Sequence, residues 1–195
     1  MSLEPIPTHI SRAVRHIHDT PRKFVLNFAG AGSQALMWLH AQAGSSRSIV
    51  EAVDRYAQAS LIEAVGHEPS SYTSVDVAVA LAKHAHKRVG VLEPTSLQTG
   101  LRFGVGLTAT IATDRSKRGD HRVAVASYDS LGITQLELVL TKGARDRWQE
   151  ETLVSQLLLY VISLASGVCA PTEDLLEGLL PSEQVSIQFQ PHVSW

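Results

Sequence analysis

The chain has one cysteine in 195 residues, Cys169, so it can form neither an internal disulfide nor a paired thiol site for zinc or redox chemistry. A reducing, cytoplasmic setting is the expectation. Charge of one sign is also lacking: 17 Lys+Arg stand against 19 Asp+Glu, a formal net charge of -2, with no run of five like charges. That argues against nucleic-acid and membrane partners, whose anionic surfaces call for a basic patch. Long apolar runs are missing too. The longest, Leu153 to Ala165, is broken by Ser155, Gln156 and Ser163 and is shorter than the ~20 residues that cross a bilayer, so it reads as a buried helix. The first twenty residues carry Glu4, Pro5, Pro7, His9 and Arg12 and hold no apolar stretch of the kind a secretion signal needs.

What is present is a 44% hydrophobic composition. A chain of this length buries roughly 70% of the surface its unfolded form exposes, enough for a core without staples. One globular α/β domain is expected over residues 1–166, followed by a C-terminal extension over 167–195.

Ile10, Val14 and Ile17 recur at helical spacing and place an amphipathic helix between Thr8 and Asp19, ended by Thr20-Pro21. Lys23 to Ala29 reads as a buried strand that runs into Gly30-Ala31-Gly32-Ser33 and a helix carrying Ala35, Leu36, Trp38 and Leu39. A second small-residue turn, Ala43-Gly44-Ser45-Ser46, precedes a β-rich run from Ser48 to Val53, then Tyr56 and a short helix ending near Gly66. Ser74 is placed to cap the next helix and Asp76 suits its dipole, with Val75, Ala78, Leu81, Ala82 and Ala85 as the apolar stripe. Three β-rich runs follow at Leu101 to Ile111, Arg122 to Ser127 and Ile133 to Leu140. A helix over about 145–165 comes next, and the last 29 residues hold a weak helix and one alternating run, Val185 to Phe189. Strands alternating with helices and then a strand meander predict a three-layer α/β/α sandwich with a mixed sheet.

Loops at strand ends are where such folds place chemistry. The Gly30 to Ser33 turn could admit a phosphate onto free helix amides, although it lacks the third glycine of a dinucleotide fingerprint and a tight turn is its commoner role. Lys117 and Arg118, in the polar linker Thr113 to His121, suit a phosphomonoester or form a solvated loop. Ser45 and Ser46 stand ten or eleven residues before Tyr56, but spacing fixes no base for them, so by motif alone they read as turn residues. His16 and His18, like His84 and His86, are two apart on helices and point to different sides, so they are expected at the surface and not as metal ligands. No metal and no cofactor is expected.

Read as an ordered set, these motifs resemble the C-terminal CinA domain family, whose characterised members are nicotinamide-nucleotide amidases. The family's Thr-Gly-Gly turn falls on Ala31-Gly32-Ser33, its Pro-Gly-Ser-Ser turn on Ala43-Gly44-Ser45-Ser46, its tyrosine on Tyr56 and its Leu-Gly pair on Val65-Gly66. The helix opening Val-Ser-Glu-Glu-Val-Ala is similar to Thr73-Ser74-Val75-Asp76-Val77-Ala78, and the strand ending in Val-Thr-Gly to Gly106-Leu107-Thr108-Ala109.

The resemblance implies a CinA-like fold, a homo-oligomer and a small-molecule nucleotide ligand whose carboxamide is hydrolysed. It puts the nucleophile at Ser46 and the assisting phenol at Tyr56. It puts substrate contacts at Gly32, Ser33, Ser45 and Thr108; where the family has a glycine-rich loop this chain carries Arg115, Lys117 and Arg118, cations that would serve a phosphate. Ser46, Tyr56 and Thr108 should then share one cavity. The family's lysine, five residues beyond the tyrosine, falls on Leu61, which can take no proton; the acid-Ser-Cys before the first turn becomes Phe28-Ala29-Gly30, and the glycine-rich loop becomes Thr113 to Gly119. The alternative reading is therefore a non-catalytic member of the same fold that holds a nucleotide or another small phosphorylated ligand.

Overall fold

Every residue from Phe24 to Ala29 is buried, as a strand covered on both faces requires, and β1 (Lys23–Ala29) lies inside a six-stranded sheet. The computed structural model describes residues 6–94, 101–114, 118–168 and 173–192. β2 (Ile49–Asp54) and β3 (Arg102–Thr110) flank β1 in parallel, and β4 (His121–Tyr128), β5 (Gly132–Leu140) and β6 (Ser186–Pro191) continue the sheet antiparallel, in the order β2-β1-β3-β4-β5-β6.

One face presents Phe24, Leu26, Phe28, Phe103, Val105, Leu107, Val125 and Leu136 to α1 (Thr8–Asp19), α2 (Ser33–Ala41) and α6 (Arg147–Ser166). The other face is built from small residues. Ala124 and Ala126 meet Ala78 and Ala82 of α5 (Val75–Leu92), Val25 meets its Ala85 and Val89, and α4 (Gln58–Val65) packs Leu61 and Ala64 against Ala29, Val77 and Leu81. The result is the expected three-layer sandwich with a mixed sheet.

The approach of α5 to β3 depends on two glycines. A Cβ on Gly104 would fall 2.1 Å from the Ala82 carbonyl oxygen, and one on Gly106 would fall 2.1 Å from that of Ala78. Both contacts are with backbone, so no side-chain rotation could relieve them. The N-terminus of α5, capped by Ser74 through Val77 N, is thereby held at the carboxyl end of β3, where Thr108 Oγ1 donates to Ser74 O.

The described residues of the expected C-terminal extension pack onto the sheet and the core. The alternating run beginning at Val185 pairs along the free edge of β5, and Leu175, in a short 3-10 turn (Glu173–Leu176), joins the main core. Glu183 fastens this segment. Its buried carboxylate accepts from Thr141 N at 2.7 Å, Leu180 N at 2.9 Å and both terminal nitrogens of Arg145 at 2.7 and 2.8 Å.

Candidate functional site

The carboxyl ends of the three parallel strands lie side by side, with Ala29 opposite Thr108 and Phe28 opposite Asp54. In open α/β sheets this is the end at which ligands bind. β1 stops there because Gly30 adopts φ +90°, and the turn then runs so near β3 that a Cβ on Gly30 would lie 2.0 Å from the Ala109 carbonyl oxygen. A cavity of about 240 Å³ opens beside it, lined by Arg55, Tyr56, Gln58, Leu61, Tyr72, Thr73, Thr108, Thr110, Ile111, Thr113 and Arg147, together with the turn itself.

Two cations give the cavity its character. Arg55 follows β2 directly and its backbone N–H donates to Phe28 O at 2.7 Å. Its Nε donates to Asn27 Oδ1 at 3.2 Å and its Nη1 to Ser60 Oγ at 3.3 Å, with Glu63 at 3.6 Å. Asn27 in turn donates to Leu81 O and to His84 Nδ1, so a buried polar chain fixes the Arg55 side chain from below. Burial, and then the Arg55 charge, hold the His84 imidazole below its ordinary pKa, which suits a ring nitrogen that accepts. Arg147 enters from the first turn of α6, whose capping box is Asp146 with Gln149, and one of its terminal nitrogens donates to Ala112 O at 2.8 Å. In the same lining, Thr73 and Thr110 share a 2.8 Å hydrogen bond.

The N-terminus of α2, expected to take a phosphate through Gly32 and Ser33, already holds an anion. The Glu151 carboxylate accepts from Gly32 N at 3.0 and 3.1 Å, from Ser33 Oγ at 2.9 Å and from Gln34 N at 3.1 Å. The free amides and the helix dipole that would draw a phosphate draw this side chain instead. The same negative charge repels the Asp54 carboxylate, whose pKa is raised first by burial and then by Glu151 against a hydrogen bond from Tyr56 N.

Tyr56 and Thr108 line the cavity together, whereas Ser45 and Ser46 do not reach it. The two serines open α3 (Ser45–Ser48), which precedes β2, while Tyr56 follows β2. The five steps from Ile49 to Asp54 alone cover about 16 Å at ~3.3 Å per residue. Ser46 is exposed, and among the described residues nothing hydrogen-bonds its hydroxyl. The serine that does meet a histidine is Ser48, whose Oγ lies 2.6 Å from His18 Nδ1; His18 Nε2 donates to Leu39 O at 2.9 Å. Both are fully buried, so the pair fastens α1 to α3 and is closed to substrate. His18 is therefore not the surface residue its spacing suggests, because it follows Ile17 on the buried side of α1.

His121 is also buried, with Nδ1 donating to the fully buried Glu150 at 2.8 Å on the α6 face of β4, away from Ser46. Arg118 is exposed; Arg115 and Lys117 lie outside the described residues. Among the described residues no group of three metal-ligating side chains assembles, and no helix is long and apolar enough to cross a membrane.

Arg55, Arg147 and Glu151 were not singled out by sequence. Arg55 had a signal, a charge immediately after a parallel strand, whereas Arg147 and Glu151 look like ordinary helix surface residues until α6 is docked.

No family model and no curated protein matches the sequence. Solved structures do match. The competence/damage inducible protein CihA from Agrobacterium tumefaciens superposes with a TM-score of 0.57 at 18% identity, over 85% of this chain and 96% of that one. The competence or damage-inducible protein from Enterobacter asburiae gives 0.60 at 8% identity, over 83% and 98%. A competence-damaged protein (CinA) superfamily protein from Enterobacter cloacae gives 0.59 at 9% identity, over 86% and 95%. This chain has the fold of the CinA superfamily, carried by a divergent sequence.

Proposed function

We propose that the protein is a cytoplasmic binder of a small phosphorylated ligand of the nucleoside-monophosphate class, held in the cavity at the carboxyl ends of β1, β2 and β3 without hydrolysis. One observation carries the reading: Arg55 and Arg147 share a hydroxyl-rich cavity whose described lining contains no serine, cysteine, histidine, lysine or carboxylate. Guanidinium groups recognise phosphate by charge-assisted hydrogen bonds, and a nucleophile without a base gains little from being bound there. At about 240 Å³ the cavity is smaller than the ~300 Å³ at which sites for whole drug-sized ligands begin. It accommodates one end of a mononucleotide, with the rest at the open mouth beside Tyr56.

A second reading, hydrolysis of the carboxamide of a nicotinamide nucleotide, is favoured by Tyr56 and Thr108 lining one cavity. It needs a nucleophile brought from outside that lining, and Leu61 supplies no proton acceptor.

Calorimetric titration with adenosine monophosphate and nicotinamide mononucleotide tests the proposal. Arg147→Ala should weaken binding by about 10- to 150-fold, the loss of one charged hydrogen-bonding partner at ~1.5–3 kcal/mol. Arg55→Lys, which keeps the charge but not the fork, should weaken it less. Equal affinity in all three proteins would overturn the proposal.

A further inference from the structure

The chain leaving β3 is gripped by the first turn of α6. Arg147 and Glu150 stand three residues apart there, hence on one helix face, and both reach Ala112. A terminal nitrogen of Arg147 donates to Ala112 O at 2.8 Å, and Glu150 Oε2 accepts from Ala112 N at 2.6 Å. The peptide groups on either side of the Ala112 Cα are thus both tied to α6. The other Glu150 oxygen accepts from Nδ1 of His121, the first residue of β4, at 2.8 Å. A carboxylate only accepts, so Nδ1 carries the proton, and one donor on each oxygen keeps the group turned towards Ala112.

This pair works from behind the cavity wall. Ile111, Thr113 and Arg147 line the cavity, whereas Ala112, Glu150 and His121 do not. Glu150 is fully buried and His121 nearly so, a costly place for a carboxylate. A leucine would fill the same position in the core without that cost, but it would not hold Ala112. What depends on Ala112 is Arg147. Arg55 is fixed by Asn27 and Ser60, whereas Arg147 is exposed and, among the described residues, has Ala112 O as its one hydrogen-bond partner. A long side chain left free would lose its rotamer freedom when a ligand bound, and one already held binds more tightly.

We propose that Glu150 and His121 are positioning residues for the phosphate anchor: through Ala112 they hold the Arg147 guanidinium at the cavity wall before an anion arrives. The assignment rests on the phosphate reading of the cavity and adds to it the two buried groups that make Arg147 ready to bind.

Calorimetric titration of the full chain with adenosine monophosphate, run as a double-mutant cycle, tests it. Glu150→Ala should weaken binding about fivefold or more in the natural protein but less than about twofold where Arg147→Ala is already present, because the pair acts through that side chain. General damage to the fold would weaken binding by the same factor in both backgrounds. His121→Leu should repeat the pattern with a loss of about threefold. His121→Asn, whose amide nitrogen falls near the place of Nδ1, should regain most of what His121→Leu loses. Circular dichroism confirms that each variant is folded; should Glu150→Ala fail to fold, the His121→Leu cycle decides. Equal factors in the two backgrounds, unchanged affinity in both Glu150→Ala and His121→Leu, or a His121→Asn as weak as His121→Leu overturns the positioning role and leaves the ligand reading standing. A natural protein that does not bind adenosine monophosphate, or an Arg147→Ala variant that binds it equally well, overturns both.

Discussion

Replacing Glu151 by alanine should both loosen the protein and create an anion site. The Glu151 carboxylate receives two backbone N–H groups and one hydroxyl at the head of α2, all within 3.1 Å. Gly32 and Gln34 are buried, so their amides cannot simply turn to water, whereas the Ser33 hydroxyl is exposed and can. Hydrogen bonds to a charged acceptor are worth ~1.5–3 kcal/mol each and do not add fully when they share one carboxylate, so the expected loss is about 3 kcal/mol. For a chain of this size that lowers the melting temperature by roughly 6–12 °C.

The vacated amides then behave as an ordinary helix N-terminus. Sulfate at a hundred times its dissociation constant should return ~2.7 kcal/mol to the variant. Differential scanning calorimetry of both proteins with and without sulfate reads the excess in the variant, which separates this site from any sulfate taken up near Arg55 and Arg147. An unchanged melting temperature in Glu151→Ala, or equal sulfate stabilisation of the two proteins, would refute the reasoning.

Three further outcomes follow from the packing and the charges. Three donor groups hold the Glu183 pKa at about 2, well below the unfolded 4.5, chiefly the Arg145 guanidinium. Its stabilisation of roughly 3 kcal/mol is therefore complete above pH 4.5 and lost as pH falls towards 2, and urea unfolding should show the gap between the natural protein and Glu183→Gln narrowing over that window. Burial lowers the His18 pKa below 6.5, so the folded state is disfavoured as pH falls below that value; His18→Gln should flatten the dependence of unfolding free energy on pH between 7.5 and 5.5. Gly106→Ala should cost about 2 kcal/mol or more in denaturant titrations, because its Cβ would meet the Ala78 carbonyl oxygen and push α5 off β3.

The middle of the sheet was largely readable in sequence because β1, β3 and β4 are covered on both faces. Lys23 to Ala29, Leu101 to Ile111 and Arg122 to Ser127 are nearly continuous apolar segments, whereas β5 and β6 show period-two alternation. The job of β6 was not readable, since its residues are exposed and only the free edge of β5 gives them a partner. At the site, order along the chain located the strand-end loops but not their ends of the sheet. Ser46 and Tyr56 are ten residues apart, and β2 occupies the interval, so the two finish at opposite ends of a parallel strand. The first glycine turn was legible as an anion site; what filled it was not, because Glu151 comes from a helix more than a hundred residues later. Histidine spacing separated His16 from His18 correctly but could not say that Ser48 and Leu39 would bury the second.

The central claim is that the cavity between Arg55 and Arg147 holds a phosphorylated ligand and does no chemistry with Ser46. Ammonia release from saturating nicotinamide mononucleotide, measured for the natural protein, Ser46→Ala and Leu61→Lys side by side, tests it most directly. The account predicts that all three release none above the uncatalysed background, since a lysine at residue 61 faces a cavity that Ser46 does not enter. Turnover of about 1 s⁻¹ in the natural protein that disappears in Ser46→Ala would contradict it.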